Sequence, residues 1–279
     1  METETTWIDA WIRWDRNSKD IIVDDDEEDQ ERVPPTKEFF FDYKLHDSNL
    51  TLALKGFPSE SEQIWNSTGL TLWPSSHYLC EYLLEHHHQL LPAADTSTIR
   101  VVELGSGLGR CGLLLHHLLT RTNHIQSHIY MTDGDTDTLA QLRDNVMDNT
   151  DSHQDSSHKV SCHQLLWGEE PTSAFCKHHF DNNHDEKKED HHNSVDLVLG
   201  SDLVYSPRVI GPLFETVSML LTNDDSEPKQ FLMAHSDRRE GSSVTLKMVL
   251  EGAQTAGLAY EILQTIEREG IYIIAFRLQ

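Results

Sequence analysis

Positive charge is what this chain most lacks. Its 279 residues carry 22 Lys and Arg against 47 Asp and Glu, a formal net charge of −25. Phosphate binding draws on clustered Lys and Arg, so this balance excludes a broad nucleic-acid surface. Cysteine is also scarce. Cys80, Cys111, Cys162 and Cys176 sit far apart, and no two form a CxxC pair. That argues against a disulfide framework and leaves reduced thiols in an intracellular, cytoplasmic protein as the expectation, the nucleus being second choice. Long apolar runs are missing too. None approaches the roughly 18 residues of a membrane span, and the opening METETTWIDAW has no basic start followed by an apolar run.

What is present divides the chain. Residues 1–60 form an extension whose DDDEEDQE block (Asp24 to Glu31) repels itself and is expected to be disordered. After it, FFFDYKL and LTLALKG pair as a short β-hairpin across HDSN. Residues 61–279 read as one domain in which helix and strand patterns alternate. The predicted helices are WPSSHYLCEYLLEH, LGRCGLLLHHLL, DTLAQLRDNVMDN, SPRVIGPLFETVSMLL and SSVTLKMVLEGAQTAG, with Pro74 in a first turn that tolerates it. Gly211 and Pro212 are expected to delay or kink the fourth of them. The predicted strands are IRVVEL, SHIYMT ending at Asp133, KVSCHQLLW, SVDLVLGSD, KQFLMAHS and the closing pair LAYEILQTIE and GIYIIAFRLQ.

Such alternation predicts an α/β fold, a Rossmann-like and mostly parallel sheet with helices on both faces. The last connection, through Arg268–Gly270, is too short for a helical crossover. The last strand must therefore run antiparallel. One insertion, HHFDNNHDEKKEDHHN (His178 to Asn193), interrupts the pattern. Its composition suggests metal binding, but no fixed ligand spacing supports a closed site, so it reads as a solvated loop and no metal is assigned.

The stretch VVELGSGLGRCG, Val101 to Gly112, carries two glycine fingerprints. Gly105, Gly107 and Gly109 make GxGxG, a spacing that suggests S-adenosylmethionine. Gly107, Gly109 and Gly112 make GxGxxG, a spacing that suggests a dinucleotide. The strand ends at Leu104, so Gly105 takes the place that the dinucleotide register wants for its first glycine, and Gly107 comes late. Glu103 is a poor neighbour for pyrophosphate and a good one for a cationic cofactor. The GxGxG register is therefore preferred, with Gly105, Gly107 and Gly109 facing the cofactor. Gly112 then serves close packing against the sheet.

At this point VVELGSGLG, the TD of MTDGD, LLWG and SDLVY, in that order, resemble the seven-β-strand (class I) protein-lysine methyltransferases of methyltransferase-16 type. The group includes the calmodulin-lysine, elongation-factor-2-lysine and valosin-containing-protein-lysine enzymes. The likeness runs from about Trp65 to Gln279. It implies S-adenosylmethionine as cofactor and a lysine of a protein as acceptor. It also implies that Trp73 and Trp167 flank the cofactor, that Gly105, Ser106 and Gly107 form its loop, and that Asp133 takes the ribose hydroxyls. Ser201 then lines the pocket, and Asp202 and Tyr205, the ends of a DxxY motif, stand where lysine meets the methyl group. Ordinary structural roles stay open beside these: Trp73 and Trp167 as core aromatics, Asp202 as the cap of the helix that follows, Asp133 as the cap of the helix near Asp135. Two further functions stay open, a small-molecule N-methyltransferase of the same fold and a non-catalytic binding module. The acidity of the chain favours a basic partner as well as plain solubility.

Overall fold

The structure is a computed structural model that describes residues 36–45, 48–65, 67–90, 98–122, 125–150, 157–180, 195–221, 229–237 and 243–279. The acidic block at 24–31 and most of the His-rich insertion lie outside the described residues.

Alternation along IRVVEL sends successive side chains to opposite faces of a sheet, and each face finds its own core. Val101 joins a cluster with Ile129, Met131 and Leu199, while its neighbour Val102 joins one with Val198, Phe231 and Phe276. The sheet has seven strands: β3 (Thr98–Leu104), β4 (Gln126–Asp133), β5 (His158–Gln164), β6 (Leu197–Ser201), β7 (Gln230–Ser236), β8 (Leu258–Ile266) and β9 (Ile271–Leu278). They lie in the order β5-β4-β3-β6-β7-β9-β8. Pairing is parallel from β5 through β7, and β9 runs antiparallel to both β7 and β8. The predicted reversal of the last strand is thus observed. From β3 the chain steps outward through β4 to β5, then returns to β6 on the other side. That puts a topological switch point between β3 and β6, where open α/β sheets bind ligands.

Helices α1 (Pro74–His86), α2 (Arg110–Leu119) and α3 (Thr136–Asn149) cover one face, through Leu79, Leu83, Leu113, Leu114, Leu139 and Leu142. Helices α4 (Glu169–His179), α5 (Ile210–Leu220) and α6 (Leu246–Thr255) cover the other, through Phe175, Leu213, Phe214, Val217 and Val249.

Three details differ from the sequence reading. Helix α4 goes unread because its buried face amounts to Thr172 and Phe175, too few apolar positions for a periodic signal, although Glu169, Glu170 and Pro171 suit a first turn. His178 and His179, assigned to the insertion, close this helix instead, and the His179 ring packs 4.6 Å from Phe175. Strand β5 stops at Gln164, so Leu165–Trp167 leave the sheet as a loop. The delay expected of the fourth predicted helix is observed: α5 starts at Ile210, after a 3-10 turn over Pro207–Val209, which leaves Pro212 in a first turn where it breaks nothing.

Ahead of the sheet, β1 (Lys37–Lys44) and β2 (Asn49–Gly56) pair antiparallel, with Phe39 opposite Leu54 and Tyr43 opposite Leu50. Phe39, Tyr43, Leu50, Leu52 and Leu54 enter the same core cluster as α1, α2 and α3. The free edge of β2 is met by side chains. Asn149 accepts from the Ala53 amide at 2.9 Å and donates to its carbonyl at 2.7 Å. Asn145, one turn earlier, does the same at Lys55, at 2.8 and 3.0 Å. Two asparagines four apart on α3 thus stand in for a third strand, satisfying backbone groups that would otherwise be stranded.

Candidate active site

The glycine loop begins where β3 ends. Gly105, Gly107 and Gly109 all take positive φ (+55°, +54° and +90°), which other residues adopt only under strain. The three glycines do different work. A β-carbon on Gly105 would come within 2.6 Å of Leu203 and 3.7 Å of the Trp167 ring. On Gly107 it would crowd the Gly69 carbonyl at 3.2 Å, and on Gly109 it would strike Leu142 and Met131 at 2.7 and 2.8 Å. Gly105 and Gly107 line a cavity of about 630 Å³, but Gly109 does not. The expectation that Gly109 faces the ligand is therefore corrected: its missing side chain makes room for the core beneath.

Gly112 settles the double fingerprint. Its amide donates to Glu103 Oε1 at 3.2 Å, and a β-carbon there would lie 2.5 Å from Oε2. The glycine serves the carboxyl of β3 under the first turn of α2. Oε2 itself is buried with no hydrogen-bond partner among the described residues. Burial, the dominant influence, pushes the Glu103 carboxyl up to about 8.

All the residues singled out from the sequence, namely Trp73, Glu103, Gly105, Ser106, Gly107, Asp133, Trp167, Ser201, Asp202 and Tyr205, line this one cavity. The elements explain how. Asp133 closes β4, one strand over from the loop; its Oδ2 accepts from the Gly107 amide at 3.1 Å and its Oδ1 from the Asp135 amide at 3.1 Å. Burial raises its pKa against those hydrogen bonds. The cap of α3 is Asp135, which accepts from the Thr138 amide at 2.7 Å, so Asp133 is not spent on capping. Ser106 is buried with its amide on the Thr132 carbonyl at 2.8 Å, tying the loop to β4. Trp73 is the N-cap residue of α1 and donates through Nε1 to the Thr68 carbonyl at 2.9 Å.

Asp202 follows β6 with φ of +54°, the one non-glycine residue with positive φ among those described. Asp tolerates that region better than most residues. Its Oδ2 accepts from the Ser75 amide at 3.0 Å, in the first turn of α1. The residue caps a helix, as one reading of the sequence allows, but the helix is α1, whose Ser75 lies 127 positions earlier, and not the one that follows. The carboxylate beside the cavity mouth and the helix bearing Trp73 are thereby coupled. Tyr205 and Leu166 both line the cavity while 52 % and 57 % exposed, so both belong to its open rim.

Sequence reasoning missed Gly69, Ser76, Leu166 and Arg110, which also line the cavity. Gly69 is explained by close approach, since a β-carbon there would meet Thr138 at 2.5 Å. Arg110 opens α2 and is 7 % exposed. Nothing in its neighbourhood in the sequence marks it, because its contacts come from Phe41, Tyr43 and His77.

Comparison with known proteins places this geometry. Residues 59–252 match the family model described as lysine methyltransferase. Protein-lysine N-methyltransferase EFM6 of Saccharomyces cerevisiae is 31 % identical over 176 residues, covering 62 % of this chain and 65 % of that protein. EFM3 of the same yeast is 24 % identical over 208 residues, 72 % of this chain and 53 % of its own length. Protein N-lysine methyltransferase METTL21A of Danio rerio is 26 % identical over 187 residues, covering 65 % and 69 %. The chain thus spans 65 % and 53 % of the first two relatives. With a match to the family model over most of its length, and the glycine loop, Asp133 and Asp202 all lining one cavity at the switch point, the chain belongs to the lysine methyltransferase family.

Proposed function

We propose that this protein transfers a methyl group from S-adenosylmethionine to a lysine side chain of a protein. The observation that carries the reading is the shared cavity. It joins the glycine loop and Asp133 to an open mouth bearing Asp202 and the exposed Tyr205 and Leu166. An exposed aromatic and aliphatic rim suits a side chain presented by a macromolecule more than an enclosed small molecule.

The residues present fit the cofactor. Its volume class is matched by the cavity of about 630 Å³. Its cationic groups suit a cavity lined by the carboxyl groups of Asp133 and Asp202. Asp133 is held rigidly by two amides and has acceptor capacity left for ribose hydroxyls. Trp73 and Trp167 supply the flat apolar walls. When bound, S-adenosylmethionine supplies an electrophilic methyl group on a sulfonium.

The chain's own residues do the rest. In-line methyl transfer depends on holding the nucleophile in place, and Asp202 and Tyr205 are the polar groups at the mouth that can orient an amine. Lysine has an ordinary pKa of about 10.4, so roughly 1 in 2,500 amines is neutral at pH 7. A carboxylate nearby favours the charged amine on arrival, and the apolar rim favours loss of its proton before attack. The acidic surface of the chain makes a basic substrate protein the preferred partner.

Incubation with methyl-labelled cofactor and a proteome extract, followed by mass spectrometry, tests the reading. It expects label on lysine of a protein, absent with Asp202→Ala. Label found solely on small molecules, or no binding of the cofactor by calorimetry, refutes it.

A further inference from the structure

Arg110 is a cation in a place that disfavours one. It is the first residue of α2, beside the positive end of the helix dipole, and it is buried. Its guanidinium lies 3.7 Å over the Phe41 ring. Nε donates to the Tyr43 hydroxyl at 2.9 Å, and Nη2 donates to His77 Nδ1 at 3.3 Å. These partners are uncharged. His77 accepts on Nδ1 and turns its other nitrogen to Glu81 at 3.3 Å. Among the described residues no carboxylate pairs with the guanidinium, and Nη1 makes no hydrogen bond. A buried charge is ordinarily paired, and leaving one without a counter-ion is costly.

The same residue lines the cavity, together with Ser76 and Cys111. Glu103, Asp133, Asp135 and Asp202 also line it, and Arg110 is the one Lys or Arg among the lining residues described. The lining comes from three sets of elements. Asp133 closes β4 and Trp167 follows β5, Asp202 and Tyr205 follow β6, and Arg110 opens α2 after the glycine loop with its guanidinium on His77 of α1. The first set suits the adenosine part and the second the methyl group. What is left for the third is the amino-acid end, which carries one carboxylate.

We propose that Arg110 is the anchor for the carboxylate of S-adenosylmethionine, which would be the missing counter-ion of this buried guanidinium. The inference rests on the cofactor named under the proposed function. It assigns the hairpin a task as well: Phe41 and Tyr43 hold the guanidinium flat and aimed, so that its unused N–H groups meet the ligand. A purely structural Arg110, clamping the hairpin to α2, makes a different prediction, because it has no preference among ligands.

Calorimetric titration with two ligands separates these. One is S-adenosylmethionine. The other is its decarboxylated form, which keeps the adenosine, sulfonium and amine and lacks the carboxylate. The native protein is expected to bind the first about 10- to 100-fold more tightly, the range for a hydrogen bond to a charged group. Arg110→Met should bind the two within about twofold of each other, and Arg110→Lys should keep part of the preference. Retention of the full preference in Arg110→Met overturns the proposal, as does equal binding of the two ligands by the native protein. If the methionine variant does not fold, Arg110→Lys carries the comparison: a preference reduced below native supports the anchor, and an undiminished one overturns it. A native protein that binds neither ligand overturns the cofactor reading itself, and this inference with it.

Discussion

Glu103 sits beneath the first turn of α2 with one oxygen on the Gly112 amide and the other buried without a partner. Its carboxyl is raised to about 8, against an ordinary 4.5. Between those values the folded chain holds a proton that the unfolded chain has released. Stability must therefore fall as pH rises from 4.5 towards 8, and little further change comes from this group above that. Melting temperatures of the native protein and Glu103→Gln, measured across this window, should diverge steadily, the native protein losing ground as pH rises. Parallel curves would sink the assignment. Gly112→Ala is the complementary test, since the added carbon would lie 2.5 Å from Glu103 Oε2. It should lose about 1–3 kcal/mol in denaturant unfolding, as an overpacked core position does. At Asp202, chemistry and capping can be split. Asp202→Asn keeps an acceptor for the Ser75 amide and tolerates positive φ, so its melting point should stay close to native while methyl transfer falls at least tenfold. Asp202→Ala should lose activity and about 1 kcal/mol of stability together. How far such residues can be read from sequence depends on where their partners lie. Gly105 and Asp133 are legible because a strand, a turn and a helix follow one another there. Arg110 is not, because its partners are 33 and 67 positions away.

Among the elements, the hairpin depends on α3 in an unusual way. Asn145 and Asn149 satisfy the Lys55 and Ala53 amides and carbonyls, and Asn145 also donates to the Leu108 carbonyl at 3.0 Å, inside the glycine loop. One asparagine therefore braces both the hairpin and the loop. Replacing Asn145 with Ala strands three backbone groups at a cost of about 1–3 kcal/mol each where they stay buried. Hydrogen exchange should show faster exchange at Lys55, and a peptide covering the glycine loop should lose protection with it. Unchanged exchange in the loop would mean that the two are not mechanically joined. The helices and strands that were legible are those with long apolar stripes, such as α2. Helix α4 is the counter-example: its buried side is Thr172 and Phe175, and Thr172 is fixed by a hydroxyl contact to Thr216 at 2.9 Å, not by apolar periodicity. The antiparallel β9 is legible for a geometric reason, since a short turn leaves no length for a crossover.

For the whole molecule, the charge of −25 would make encounter with the basic substrate proposed above dependent on salt. Raising ionic strength from about 0.05 to about 0.5 M should raise KM for such a protein several-fold and leave kcat nearly unchanged, because a shorter Debye length weakens long-range attraction more than contacts made once the substrate is seated. A KM insensitive to salt would show that charge plays no part in recognition. The sharing of one core between the hairpin and α1, α2 and α3 has a further consequence in the time domain. A ribosome makes β2 long before it makes its side-chain partner: Ala53 and Asn149 are 96 residues apart. At roughly 5–20 residues per second, the open edge of β2 waits about 5–20 s for α3 to emerge. During that interval the nascent chain exposes one unpaired edge of the hairpin to every neighbour, so the burden this fold places on chaperones falls early in synthesis, before Trp167, Asp202 and Tyr205 complete the cavity.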